Sequence, residues 1–239
     1  MTAASQAARR ILIITAHPDD ADVHAGGTIA RWVDDGHEVH AVIATSGDKG
    51  HDDPSMTREQ LITLRRAEQR RAAAILGVTH VMFLDYEDGE LTWAGPRLAE
   101  EITRTIREVR PDIVLTHDPY AGPPRYATYQ LHPDHRAVGF ATIDAVYFRA
   151  PGPLYYPAHS AAGLVPHRVG EVLLIMGDDH DHFVDIGTTF HRKLEAVRAH
   201  ASQWGKHADL EGFLRARARR LGEAQGVALA EGFKHLLPT

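Results

Sequence analysis

Ile11-Leu-Ile-Ile-Thr-Ala-His-Pro-Asp-Asp20 runs from an unbroken apolar stretch into a histidine and two carboxylates, and Ala-Asp-Val-His-Ala-Gly-Gly27 follows it. The apolar run is too short for a helix and β-branched enough for a strand buried on both faces. The polar cluster therefore falls at the carboxyl end of that strand, where open α/β sheets place their ligands. Gly26-Gly27 then opens an amphipathic segment, Thr28-Ile-Ala-Arg-Trp-Val-Asp-Asp35. Strand, charged loop and helix come in that order.

The same order recurs. Gly36 suits a helix C-cap, and His37 to Thr45 reads as a second strand. The turn residues from Ser46 to Ser55 precede a long helix from about Thr57 to Leu76, with Leu61, Leu64, Ala72 and Ile75 as its apolar positions and Gly77 as its stop. His80 to Leu84 is a third strand and Asp85 to Glu90 its loop. Pro96 starts a helix whose apolar face is Leu98, Ile102, Thr105, Ile106 and Val109. Ile113 to Thr116 is a fourth strand. This βαβαβαβ series predicts an α/β fold, a Rossmann-like, mostly parallel sheet with helices on both faces. The long loop from His117 to Leu131 has the length of a functional segment. His132-Pro-Asp-His135 ends it and begins a helix that runs to about Tyr147.

Beyond Ala150 the pattern changes. Glu171 to Met176 and His182 to Ile186 read as strands around a turn, so Asp178-Asp-His-Asp-His182 is expected to be a solvated hairpin and not a metal cluster. Helices are expected over about Thr188 to Gln203 and Leu210 to Gln225, with Leu194, Val197 and Trp204 as core packing. This part reads as a C-terminal cap of strands and helices on the same unit, so residues 1–239 are expected to form a single domain.

Composition narrows the chemistry. A formal charge of −6 gives no basic footprint for nucleic acid. The chain has no cysteine, which excludes disulfides and thiolate metal sites. Any zinc must be held by His, Asp or Glu, the ligand set of open catalytic sites more than of closed structural ones. The N-terminus lacks the apolar core of a signal peptide, and no run approaches the roughly 18 apolar residues of a membrane span. A cytoplasmic protein with no membrane partner is the expectation.

The two polar clusters fit one site. Adjacent carboxylates share work when a cation sits nearby, Asp20 as ligand and Asp19 as base. Histidines three apart at a helix start lie on one face, with Cβ atoms roughly 5–6 Å apart, so one can bind a metal while the other faces a substrate. His17, Asp20 and His135 make a two-histidine, one-carboxylate set that leaves room for water. Alone, His-Pro-Asp after a strand reads as a turn, and His-x-x-His is a weak metal signal. Both follow strands of one parallel sheet, however, which brings them to the same crevice. A nucleotide-binding reading is disfavoured, because the first βα loop has no Gly-x-Gly-x-x-Gly and Asp19 and Asp20 would repel a pyrophosphate.

Ala16-His-Pro-Asp-Asp20, Gly26-Gly27 and His132-Pro-Asp-His135 resemble the two signatures of the PIG-L/LmbE-like deacetylases, zinc-dependent enzymes that remove acetyl groups from N-acetylglucosamine derivatives. The resemblance extends to Thr45-Ser-Gly-Asp48, the helix around Arg65 to Glu68, Leu76-Gly77, Asp88-Gly-Glu-Leu91 and His200-Ala-Ser-Gln203, and covers about Arg10 to Phe233. Within the family the arrangement is most similar to diacetylchitobiose deacetylases. One departure is Ala21, where the family often has Glu or Cys. The resemblance implies that His17, Asp20 and His135 hold a zinc ion, or another divalent metal in the cell, and that Asp19 is the general base. It implies a protonated His132 that stabilises the oxyanion or protonates the leaving amine, with Asp134 orienting it. Arg65 matches a family position that faces the sugar, Asp88 and Asp48 are candidate substrate contacts from the loops beyond the third and second strands, and Tyr120, Arg125 and Tyr126 in the long loop are candidates for a sugar platform or lid. The implied reaction is hydrolysis of the acetamide of an N-acetylated amino sugar, such as an N-acetylglucosamine or chitobiose-like substrate. A same-family amidase acting on a thiol conjugate or an antibiotic aminosugar is the alternative. A homo-oligomer, trimer or hexamer, is implied by the resemblance alone. A binding module that kept the metal and lost catalysis would need neither Asp19 nor His132.

Overall fold

The computed structural model describes residues 7–92, 95–120 and 132–238. The first strand, β1 (Arg10–Thr15), alternates Ile11 and Ile13 into one core layer and Leu12 and Ile14 into the other, all four at most 1% exposed. A strand buried on both faces has no polar side to show, hence its unbroken apolar sequence. It pairs in parallel with β2 (Glu38–Thr45) and β4 (Ile113–His117). Beyond β2 lies β3 (His80–Tyr86), and beyond β4 lies β5 (Glu171–Ile175), both also parallel. Two further strands, β6 (His182–Asp185) and β7 (Ala230–Leu236), complete a seven-stranded order β3-β2-β1-β4-β5-β7-β6. The chain leaves β1 in one direction towards β3 and resumes at β4 in the other. The switch point therefore lies between the carboxyl ends of β1 and β4, the crevice where such sheets bind ligands.

Helices cover both faces. On one side pack α1 (Asp20–Asp34), α2 (Arg58–Leu76) and α6 (Phe190–Ala199). On the other pack α3 (Pro96–Val109), α4 (Pro133–Asp144) and the π-helical turn Ala145–Arg149 that prolongs α4. Among the described residues, the remaining helices are α5 (Pro157–Ala161), α7 (Ala201–Trp204) and α8 (Leu210–Glu223). Thr57 and Gln60 form a capping box at the start of α2, and Gly77 ends it at φ 85°. No helix among the described residues is long and apolar enough to cross a membrane.

Several elements differ from the sequence expectation. Helix α1 begins at Asp20 and not at Thr28, so the loop after β1 is only a few residues long. Gly26 and Gly27 lie inside this helix, where a Cβ on Gly27 would meet Ile186 side-chain atoms at 2.7 Å. The pair is a close-packing device and not a helix start. Strand β3 extends to Tyr86, past the expected Leu84. The inward face of α2 carries Arg65, Glu68 and Gln69 beside Leu61 and Ala72, while Leu64 is 38% exposed. The residues from Asp178 to Asp181 do not close a hairpin. β7 lies between β5 and β6 and is antiparallel to both, and Lys234 on β7 meets the carboxylates of Asp179 and Asp181 at 2.9 Å each.

Candidate active site

His17 follows β1 in the short loop, Asp20 opens α1, and His135 lies in the first turn of α4. His17 Nδ1 and His135 Nε2 are 3.0 Å apart. Asp20 Oδ2 is 3.5 Å from the former and Asp20 Oδ1 is 3.3 Å from the latter. A tetrahedral shell with bonds of about 2.0–2.1 Å needs neighbouring donors roughly 3.4 Å apart. These three buried groups therefore fit a single divalent cation. Burial opposes charge on His17, but Asp134, Asp20 and Asp88 outweigh it and lift the ring well above the ordinary histidine value. Burial likewise opposes charge on Asp20, and His135 outweighs it and holds the carboxylate well below its usual range.

The far nitrogen of His17 explains why Nδ1 is the one turned to the centre. His17 Nε2 faces Asp88 Oδ1 at 3.1 Å and Asp134 Oδ2 at 3.2 Å. A ring N–H given to a carboxylate leaves the opposite lone pair for a metal and raises its basicity. This changes the reading of Asp134. Its carboxylate is fully buried, accepts the Gly89 and Leu91 backbone N–H groups at 2.7 and 3.1 Å, and supports His17. It lies 4.0 Å from His132 Nδ1, which instead accepts the Asp134 backbone N–H at 3.3 Å as the N-cap of α4. The ring proton of His132 then resides on Nε2, 3.7 Å from Asp88. Burial, followed by His17 and His135, lowers the His132 pKa and favours the neutral ring.

Asp19 stands at φ 98°, in the left-handed region that a non-glycine residue keeps only where its surroundings over-determine it. Its backbone N–H donates to Gln69 Oε1 at 3.0 Å, its Oδ2 accepts from Trp204 Nε1 at 2.9 Å, and its Oδ1 faces the Arg65 guanidinium at 3.5 Å. Burial raises its pKa, against the pull of Arg65.

The three residues expected to touch substrate turn inward. Arg65 is 4% exposed and spends its fork on the Gly47 and Pro18 carbonyls at 3.0 and 2.7 Å, tying the loop after β2 to the loop after β1. Asp48 is 3% exposed, binds Arg58, and accepts the Asp88 backbone N–H at 2.9 Å. Asp88 is 7% exposed and lies against His17. Each is engaged by protein groups and offers almost no surface to a sugar. Tyr120 is exposed and packs edge-on to Phe140; Arg125 and Tyr126 lie outside the described residues.

His117, which ends β4, was not singled out by the sequence. It stacks on His135 with ring centres 4.3 Å apart and planes at 8°, and its Nε2 accepts the Ala16 N–H at 3.0 Å. Trp204, expected only as core packing, reaches Asp19. The available signals were a histidine at the carboxyl end of a switch-point strand and a tryptophan directly after His200-Ala-Ser-Gln203. A separate grouping, Glu38, His40 and His80, lies at the amino ends of β2 and β3. There the histidine rings are parallel within 9° and His40 Nε2 already binds Glu38 at 2.7 Å.

A mostly parallel sheet with two imidazoles and a carboxylate converging at its switch point defines an α/β protein with a candidate metal centre of the open, catalytic type. The chain belongs to the PIG-L family, described as GlcNAc-PI de-N-acetylase, whose profile matches residues 12–146. It is 37% identical to the diacetylchitobiose deacetylase of Thermococcus kodakarensis over 95% of this chain and 82% of that protein. It is 30% identical to a probable N-acetyl-α-D-glucosaminyl L-malate deacetylase 2 of Bacillus anthracis, over 82% of each chain. Its fold superposes on the N,N'-diacetylchitobiose deacetylase of Pyrococcus horikoshii with a TM-score of 0.88 and 34% identity, covering 97% of this chain and 85% of that one.

Proposed function

We propose that this protein is a zinc-dependent N-deacetylase that hydrolyses the acetamide of an N-acetylated amino sugar and releases acetate. The single observation that carries the reading is the convergence of His17 Nδ1, His135 Nε2 and the Asp20 carboxylate within 3.5 Å, with Asp19 at the next position in the chain. His17, Asp20 and His135 would hold the cation. When bound, it supplies a lowered pKa for water beside it and polarisation of the acetamide carbonyl.

The chain's own groups do the rest. Asp19 Oδ1 takes a proton from the attacking water, whose oxygen adds to the amide carbon. His132 Nε2–H donates to the oxyanion that develops there. Its lowered pKa suits a neutral donor, and a nearby cation lowers it further. Asp19 then returns its proton to the sugar nitrogen, the C–N bond breaks, and amine and acetate leave. Asp88 and Asp134 keep His17 aimed at the centre from behind. A chitobiose-type substrate is favoured by the identity to the diacetylchitobiose deacetylase, which extends over nearly the whole chain.

The test is acetate release from N-acetylglucosamine, diacetylchitobiose, and malate and inositol conjugates of N-acetylglucosamine, with and without a chelator. Chelator-sensitive release, fastest on diacetylchitobiose, is the expected result. No release from any of the four by protein holding one metal per chain would defeat the reading and favour an amidase of another class of amide.

A further inference from the structure

His200-Ala-Ser-Gln203 and the Trp204 that follows have no part in the chemistry above, yet they reach Asp19 by two routes. In the direct route, Trp204 Nε1–H donates to Asp19 Oδ2 at 2.9 Å. In the second, His200 Nε2 donates to Asp22 Oδ2 at 2.7 Å and Gln69 Nε2 donates to the same oxygen at 3.0 Å. With its amide nitrogen held by that carboxylate, Gln69 must present its carbonyl oxygen to the Asp19 backbone N–H, which it meets at 3.0 Å.

One short turn carries both routes. The His200 carbonyl accepts the Gln203 and Trp204 backbone N–H groups at 3.0 and 2.9 Å, so the imidazole and the indole belong to one hydrogen-bonded unit. That unit is pinned from outside. Ser202 donates its backbone N–H and its hydroxyl to Glu68 at 2.8 and 2.6 Å, and Gln203 Nε2 donates to the Gly50 carbonyl at 2.9 Å. Glu68 and Gln69 both lie on the inward face of α2, which accounts for polar side chains where an apolar stripe was expected.

We propose that the turn 200–204 is a positioning device for Asp19. Trp204 occupies Oδ2 and leaves Oδ1 for the water proton; Oδ1 has Arg65 at 3.5 Å and no hydrogen bond among the described residues. His200, through Asp22 and Gln69, holds the Asp19 backbone in its left-handed conformation. The inference rests on Asp19 being the proton acceptor.

Trp204→Phe tests it, since it keeps an aromatic ring beside Phe213 and removes only the donor. In a wild type that releases acetate from diacetylchitobiose, the variant should keep its metal content and a KM within about twofold, while kcat falls about tenfold or more, a part of what a positioned base contributes. His200→Gln, which can still donate to Asp22, should retain more kcat per folded molecule than His200→Leu. A second readout needs no turnover. The indole N–H resonance of Trp204, identified by its loss in Trp204→Phe, should move in Asp19→Asn. A kcat within twofold of wild type in Trp204→Phe, or an indole resonance unmoved by Asp19→Asn, overturns the proposal. A wild type that is inactive on every acetylated amino sugar defeats the functional reading and leaves the resonance to judge the positioning.

Discussion

Asp134 Oδ2 and His17 Nε2 are joined at 3.2 Å across 117 residues of chain, although Asp134 stands only two positions from His132. Supporting groups behind a ligating histidine are worth about 10–100-fold in metal affinity. Asp134→Asn is therefore expected to weaken metal binding by that factor in chelator competition, with a smaller change in kcat at saturating metal. A carboxylate serving His132 would give the opposite pattern, with unchanged affinity and lost turnover.

Arg65 offers a similar choice between two roles. Its guanidinium spans the Gly47 and Pro18 carbonyls, a two-pronged contact that an ammonium cannot reproduce. In Arg65→Lys at least one buried carbonyl loses its donor, which costs about 1–3 kcal/mol and, in a chain of this size, about 2–4 °C of melting temperature per kcal/mol. Activity should fall through kcat, because the loop bearing Asp19 loosens. A sugar contact would instead raise KM and leave the melting temperature alone.

The His200–Asp22 pair makes stability depend on pH. Burial disfavours a charged His200, but Asp22 at 2.7 Å outweighs it and the pKa is raised. A raised value means that the folded state binds the proton more tightly than the unfolded chain does. The contribution is therefore full below the unfolded value of about 6.5 and is lost as pH climbs through the folded one. Urea midpoints should drop from pH 6 to pH 9, and His200→Gln should flatten that drop. An unchanged pH slope in the variant would assign the effect to another group.

Which parts of this were legible in the sequence follows from what a sequence encodes. Ile11 to Ile14 declare a doubly buried strand by having no polar alternation, so the sheet and the position of His17 and Asp20 at its carboxyl edge were readable. His135 was readable from its place after the fourth strand. Direction was not readable. Arg65 and Asp48 have the residue types of a solvated face, and only the three-dimensional packing turns them onto Pro18, Gly47, Arg58 and Asp88. β7 was hidden because Ala230–Leu236 contains no β-branched residue and its partner strands lie far earlier in the chain. Trp204 was hidden by its apolar spacing, which says nothing about where an indole N–H points.

Gly26-Gly27 lies inside α1 and does not start a helix, and this placement has a measurable consequence. A Cβ on Gly27 would lie 2.7 Å from Ile186 Cβ and Cγ2. Ile186 is fully buried, so the strain has no outlet into solvent. Gly27→Ala should cost about 1–3 kcal/mol by overpacking, seen as a lower denaturation midpoint. Adding Ile186→Ala should recover part of the Gly27→Ala penalty relative to Ile186→Ala alone. Two strictly additive penalties would show that the glycine serves some purpose other than close approach.

His117 bears on how many cations the proposed centre would hold. Asp20, His117 and His135 stand close enough to suggest a second ligand set, but His117 Nε2 already accepts the Ala16 N–H at 3.0 Å, and an imidazole nitrogen has one lone pair. Burial, with His135 beside it, takes the His117 pKa down to about 4, so the ring is neutral at pH 7 and its proton sits on Nδ1. His117 then acts as a stacked wall for His135 and not as a ligand. Elemental analysis should find one metal per chain in the wild type, almost none in His135→Ala, and one in Asp19→Asn, which should lose about 10²–10⁴-fold in kcat as a base knockout. His117→Asn should still bind one metal, more weakly, because His135 loses its stacked neighbour. Two metals in the wild type falling to one in His117→Asn would place a second cation between His117 and Asp20 and reassign the Ala16 contact.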